Sequence, residues 1–75
     1  MISKREAQLL AVEDSDYEMP YEWVREDIKI MSCEFDEACG EWNIYVWMKF
    51  EHGDIVIFDC WVADDGEVSS SWAAV

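Results

Sequence analysis

Apolar and polar residues alternate along three segments in the second half of the chain, and this period of two constrains the fold more than any other feature. The segments are 28–36, 42–51 and 55–64; they are rich in Ile, Val, Tyr, Phe and Trp, and turns containing Gly40 and Gly53 separate them. A weaker segment, 67–73, follows Gly66. Strands joined by such short turns run antiparallel, so the pattern predicts a meander of three or four strands.

The N-terminal third has the pattern of a helix. Ser3 and Glu6 have the spacing of a capping box, and apolar residues on one helical face follow, which predicts a helix over about 4–14. Pro20 suits the first turn of a second short helix over about 20–26. We therefore expect an α+β fold: one or two short N-terminal helices packed on a three- to four-stranded antiparallel meander sheet. Its length allows one hydrophobic core, so residues 1–75 form a single acidic globular domain.

Alternation also predicts which residues share a strand face, because a slip of one residue exchanges the two faces. Turns at 37–40 and 52–54 bring together an inner face made of Met31, Cys33 and Phe35, the even-numbered residues 42–50, and the even-numbered residues 56–62. On the outer face, the same register places Tyr45 beside Ser32 and Trp61, and Trp47 beside Ile30 and Asp59.

The outer face would then carry an aromatic group formed by Tyr45, Trp47 and Trp61. Such rings can stack on the bases of single-stranded nucleic acid, but an acidic chain repels the phosphates. We expect a helix to cover this face. If part of it stays open, an aromatic patch bordered by acids is typical of a protein-binding surface.

The charge of the chain excludes several functions. With 18 acids against 5 bases, the net charge is -13, so no basic face is available for nucleic acid or for an anionic membrane. Disordered acidic tails contain few aromatic residues, whereas 15% of this chain is aromatic. No signal peptide or membrane span is recognisable, and an odd number of cysteines favours reduced thiols, so we expect a cytoplasmic protein.

Carboxylates concentrate around the first and third turns of the meander, which open at the same end of the sheet, about 10 Å apart. The register puts Asp36, Glu41 and Asp65 in one row across the strands. We predict that the partner-binding residues are Glu34, Asp36, Glu37, Glu41, Asp64, Asp65 and Glu67. A second-choice surface in the N-terminal third consists of Glu13, Asp14, Asp16, Glu18, Glu22 and Glu26.

Catalytic and metal-binding patterns are weak. His52 is the single histidine and falls in a predicted turn. Cys33, Cys39 and Cys60 lack the paired spacing of zinc sites, and Cys33 and Cys60 fall on the inner strand face, where a thiol acts as a small hydrophobe. We therefore expect no catalytic site, no metal and no cofactor.

In overall character the chain resembles the DNA-mimicking inhibitors encoded by phages and mobile elements. The resemblance rests on the start MISKREAQLL, the acid-rich stretch EDSDYEMPYEWVRED and the strand region MSCEFDEACGEWNIYVWMKFEHGDIVIFDCWVADDGEV, rather than on a motif. Among these inhibitors it is similar to small anti-CRISPR proteins directed at type I surveillance complexes, with type I-C the subtype that we favour.

This resemblance implies a monomeric, stoichiometric inhibitor without enzymatic activity. It would bind a basic, Cascade-type complex and block target DNA, without binding nucleic acid itself. The alternative is an immunity protein or antitoxin that neutralises a single basic enzyme such as a nuclease. Displacement by DNA distinguishes the two, because only a DNA mimic shares its binding site with DNA.

Overall fold

One helix and four strands make up the fold. The computed structural model describes all 75 residues and contains α1 (Lys4–Glu18), β1 (Arg25–Asp36), β2 (Glu41–Phe50), β3 (Ile55–Val62) and β4 (Val68–Ala74). The strands form one antiparallel sheet in the order β1-β2-β3-β4, and α1 packs on one face of it. This confirms the expected α+β meander with four strands and one helix. The helix is too short and too polar to cross a membrane.

Helix α1 begins as predicted and ends one turn later than predicted. The Ser3 Oγ accepts the backbone N–H of Glu6 at 3.1 Å, which caps the first turn. At the other end, Ser15 is fully buried and Asp14 accepts a hydrogen bond from Ser70 Oγ at 2.6 Å. These tertiary contacts hold the acidic last turn in helical form, although carboxylates there oppose the helix dipole.

The predicted second helix over 20–26 is absent. The Trp23 N–H donates to the Pro20 carbonyl at 3.0 Å, which closes a single turn, and β1 then begins at Arg25. The Trp23 ring meets the Phe50 ring edge to face at 5.2 Å. Burial of this one aromatic side chain and pairing of the following residues with β2 replace the helix.

The core lies between α1 and the inner face of the two central strands. The small buried residues Ala7, Ala11 and Ser15 lie four apart on the helix and allow a close approach to the sheet. Opposite them lie the fully buried inner residues of β2 and β3, as the alternation predicted: Ile44, Val46, Met48, Phe50, Val56, Phe58, Cys60 and Val62. Full burial of one such large apolar side chain contributes about 1.5–3 kcal/mol.

A bulge in β1 overturns one predicted face. The pairing with β2 shifts between Ile30 and Ser32, so Met31 is an extra residue without a partner, and it is 57% exposed. Cys33 and Phe35 keep the inner face, but Ile28 and Ile30 join them there instead of Met31. A bulge changes the parity of a strand, and strict alternation cannot reproduce that change.

The second hairpin also differs from the prediction. Lys49 pairs with Ile55, and the Phe50 N–H donates to the Asp54 carbonyl at 3.0 Å, so the turn is 51–53 rather than 52–54. The register moves by two residues, which preserves the faces but changes the partners. On the outer face Tyr45 pairs with Asp59 instead of Trp61, and Trp47 pairs with Lys29 and Ile57 instead of Ile30 and Asp59.

Candidate functional site: an acidic end and an open sheet face

The turns 37–40 and 63–67 lie together at one end of the sheet, as predicted. Glu41, Asp64 and Asp65 line one groove of about 410 Å³ together with Cys39, Gly40 and Ala63. Glu34, Asp36 and Glu37 line a second groove of about 310 Å³. Glu67 closes the β3–β4 turn, where its carbonyl accepts the Ala63 N–H at 2.9 Å. We call this set the acidic end: Glu34, Asp36, Glu37, Glu41, Asp64, Asp65 and Glu67.

The predicted row of Asp36, Glu41 and Asp65 does not form. Asp36 does pair with Glu41, but β3 ends at Val62, so Asp65 lies in the following turn. The cause is the shifted register of the second hairpin, which aligns position 63 rather than position 65 with Glu41. The carboxylates therefore cluster around two turns instead of forming a straight ladder.

Two carboxylates of the acidic end hold the turns in shape. Asp36 Oδ1 accepts the N–H of Ala38 at 2.9 Å, and Asp65 Oδ1 accepts the N–H of Glu67 at 2.9 Å. These are local turn contacts of the kind that Asp commonly makes. By contrast, the side chains of Glu34, Glu37, Glu41 and Glu67 make no hydrogen bond or ion pair, so they are free to meet a partner.

Basic side chains pair with two acids of the second-choice surface but with none of the acidic end. Arg25 pairs with Asp16 at 2.5 Å, and Lys49 lies 3.7 Å from Glu26. At the acidic end, the only cation within ion-pair distance is the Met1 amino group, 3.1 Å from Asp64. The second-choice surface keeps three exposed acids without a cationic partner: Glu13, Glu18 and Glu22.

The outer face of the sheet is open, contrary to the expectation that a helix covers it. The buried side of α1 contacts the inner face, where Ser15 Oγ lies 3.6 Å from Cys60 Sγ. No second helix exists to cover the other side. The open face carries half-buried apolar side chains and the more exposed Tyr45: Tyr45, Trp47, Ile55, Ile57 and Trp61. Lys29 Nζ lies 4.7 Å from the centre of the Trp47 ring, a cation–π contact.

Asp59 is a charged residue of the open face that the sequence analysis did not select as a candidate. It is half-buried at the centre of the open face, and Asn43 Nδ2 donates to its Oδ1 at 2.7 Å. One signal was available: Asp59 is the only charged residue in the apolar β3 sequence IVIFDCWV. The predicted register placed it beside Trp47, whereas its neighbours across the strands are Tyr45 and Ser71.

The Cys60 thiol and the His52 ring contact different groups. Burial raises the pKa of the Cys60 thiol above its ordinary value of 9.0; the hydrogen bond between Cys60 and Ser15 opposes this, and the charges of Asp14 and Asp59 add to it. His52 lies 3.2 Å from Asp54 and meets the Trp23 ring at 4.6 Å. No group of three or more His, Cys, Asp or Glu side chains is arranged to hold a metal ion.

Chemically, the acidic end can accept several ammonium or guanidinium donors at once, because its free carboxylates carry charge without internal partners. The open face adds aromatic rings and one carboxylate to this anionic surface. No family model, curated protein or solved structure matches this chain.

Proposed function

We propose that this protein is a stoichiometric inhibitor that mimics DNA charge and blocks target-DNA binding by a type I CRISPR surveillance complex. The observation that carries the proposal is the acidic end: seven carboxylates from two turns and their strands, with no Lys or Arg side chain paired to any of them. Like charges brought together destabilise a fold, so a small domain that keeps them at one end has a use for them.

The acidic end offers what a basic DNA groove normally binds. Glu34 and Asp36 lie two apart on β1, so their side chains point the same way, about 6.6–6.8 Å apart along the strand. A DNA-binding surveillance complex gains much of its affinity for DNA from Lys and Arg contacts to phosphates. Carboxylates on a rigid sheet end can take the same side chains and exclude the duplex.

The mechanism is competition without turnover. Each inhibitor occupies one basic site by charge and by bulk, in the cytoplasm of the bacterial cell where the complex works. Because the contacts are between exposed charges, the affinity falls steeply as salt rises. The subtype that we favour for the test is type I-C.

The test measures target-duplex binding by a purified type I-C complex in the presence of inhibitor variants. The acidic-end variant neutralises four acids around the two turns and spares the turn-forming Asp36 and Asp65: Glu37→Gln, Glu41→Gln, Asp64→Asn and Glu67→Gln. A control variant removes the same charge elsewhere: Glu13→Gln, Glu18→Gln, Glu22→Gln and Glu51→Gln. Exposed charge pairs contribute about 0.2–1 kcal/mol each, so four lost pairs of about 0.5 kcal/mol should weaken inhibition by at least about tenfold. The control should stay within about threefold of the wild type.

Other outcomes contradict parts of the proposal. Loss of inhibition only in the control variant would move the binding surface to the N-terminal acids. Equal loss in both would mean that net charge, rather than the acidic end, is recognised. If the wild type does not inhibit, a pull-down from a bacterial lysate with and without duplex DNA separates the alternatives. Capture of one basic enzyme that DNA does not displace would favour an immunity protein or antitoxin.

A further inference from the structure

We propose that the open sheet face is an arginine-binding site, in which Asp59 takes the guanidinium of a partner's arginine side chain. The inference deepens the proposed function and rests on it only for the existence of a basic protein partner. It concerns a different surface from the acidic end. The observation that carries it is a half-buried carboxylate without a cation, placed between an apolar groove and a smaller groove that includes Ser69 and Ser71.

Asp59 has no ionic partner within the protein. It pairs across the sheet with Tyr45 on β2 and Ser71 on β4, so it lies at the centre of the open face. Asn43 donates one hydrogen bond to Oδ1 at 2.7 Å, and neither Lys nor Arg lies within ion-pair distance. A carboxylate in partly apolar surroundings normally has a cationic or multiple hydrogen-bonding partner. Here the other oxygen, Oδ2, accepts no hydrogen bond from within the protein.

The groove beside Asp59 fits the stem of an arginine. It measures about 300 Å³ and is lined mainly by apolar residues, with Asp59 and Ser71 as its polar members: Tyr45, Ile57, Asp59, Ser71, Trp72, Ala73 and Val75. Arginine packs its methylene groups on apolar surface and its planar guanidinium against aromatic rings, while its N–H groups bind carboxylates in a fork. Tyr45 and Asp59 are cross-strand neighbours. The Tyr45 ring can therefore stack on the guanidinium plane while the Asp59 carboxylate accepts its N–H groups.

The opposite side of Asp59 provides acceptors for the remaining guanidinium N–H groups. A smaller groove of about 200 Å³ is lined by Asp59, Trp61 and the serine run 69–71. Ser69 and Ser71 pair with Trp61 and Asp59 and lie on the open face, whereas Ser70 lies on the other side and donates to Asp14. Serine hydroxyls accept hydrogen bonds, which an arginine with five N–H donors can use and a lysine ammonium can use less well. On the same face, Lys29 already stacks on Trp47, so the rings of this surface hold a cation within the chain itself.

Charge complementarity favours a cation over the other possible occupants. A second copy of this chain, at a net charge of -13, would bring more acids to the face. An apolar partner would cover Asp59 and leave its charge without compensation. An arginine removes the charge and covers the apolar groove at the same time.

The test titrates ¹⁵N-labelled protein with the blocked tripeptide Gly-Arg-Gly and follows the amide signals by NMR. The matched probe replaces arginine by citrulline, which has the same shape without the charge. We expect saturable shifts at Ile57, Ser71 and Ala73 with the arginine peptide, and at least fivefold weaker binding with citrulline. Asp59→Asn, which keeps an oxygen to accept from Asn43, should weaken arginine binding by at least fivefold, whereas Glu67→Gln at the acidic end should leave it unchanged.

Three results would overturn the inference: equal binding of arginine and citrulline, equal binding by Asp59→Asn and the wild type, or shifts confined to the acidic end. The comparison of the two peptides on the wild type remains decisive even if Asp59→Asn fails to fold. Neither measurement involves a surveillance complex. Failure of the DNA-competition assays would therefore refute the proposed function and leave arginine binding standing. Failure of the arginine titration would refute this inference and leave the proposed function standing.

Discussion

The acidic end should destabilise the protein through repulsion between its two turns, and a double-mutant cycle can measure this directly. One variant neutralises the first turn by Glu37→Gln and Glu41→Gln, another neutralises the second by Asp64→Asn and Glu67→Gln, and a third combines all four changes. Either pair alone removes all four cross-turn repulsions between these residues. The combined variant cannot remove the same repulsions twice. Its stabilisation should therefore be smaller than the sum of the stabilisations of the two separate variants.

The size of this shortfall follows from the sheet geometry. The two turns are separated by two strand spacings, about 10 Å, and two unit charges at that distance in water repel by about 0.4 kcal/mol. At 10 mM salt, where the Debye length is about 30 Å, about 0.3 kcal/mol remains per pair, or about 1.2 kcal/mol for four pairs. At 150 mM salt the Debye length of about 8 Å reduces the total to about 0.5 kcal/mol. A domain of 75 residues has a total stability of only about 4–11 kcal/mol, so the effect is measurable.

The assay is urea unfolding followed by tryptophan fluorescence, because urea is uncharged and leaves the ionic strength free to vary. The cycle also cancels contributions that belong to one turn alone, including the Met1–Asp64 ion pair. Additive effects at 10 mM salt would refute the reasoning, since they would mean that the two turns do not share one electrostatic field. A shortfall that does not shrink between 10 and 150 mM salt would exclude simple charge repulsion as its cause.

Three further predictions concern the fold. Phe58→Ala removes a fully buried ring and should cost about 3–5 kcal/mol, enough to leave much of the chain unfolded in circular dichroism at 37 °C; a native spectrum with an unchanged melting temperature would contradict the assigned core. Gly66→Ala should lower stability by about 1 kcal/mol in urea, because Gly66 has a φ of 89° and the added Cβ meets only Leu10 at an ordinary 3.7 Å, so the cost is backbone strain. Because its pKa is raised in the folded state, Cys60 keeps its proton above pH 9.0 while the unfolded thiol loses it, so the native state binds more protons and its stability falls as pH rises. Cys60→Ala should remove up to about 1.4 kcal/mol of that fall per pH unit. Parallel plots of unfolding free energy against pH for the two proteins would contradict this.

Period-two alternation was sufficient to predict the existence of the strands, the faces of β2 and β3 and the position of the acidic end. The inner residues of β2 and β3 were correct because a shift of two residues in the second hairpin does not change a face. The first turn, 37–40, was also correct, so Asp36 and Glu41 were placed opposite each other. The location of the acidic end depended only on the meander order, in which the first and third turns open at the same end.

The details that the sequence could not provide depend on contacts between distant segments. Met31 is apolar and would suit either face, so nothing in its own type reveals the bulge that turns it outward. The choice between turns 51–53 and 52–54 depends on which cross-strand neighbours fit best, because either turn contains His52 and Gly53. Residues 20–26 have helical signals, but pairing of Arg25 with β2 and packing of Trp23 on Phe50 outweigh them.

The same two-residue shift that left the core prediction intact changed the chemistry of the open face. In the predicted register Asp59 lies beside Trp47, whose ring is already occupied by Lys29. In the structure it lies beside Tyr45, above a groove that contains no cation. Fold stability depends on which face a residue occupies, and a period of two fixes that. A binding site depends on which residue is the neighbour, and that requires the register itself. For a small sheet protein, the positions of the turns therefore carry more information about a binding site than the strand pattern does.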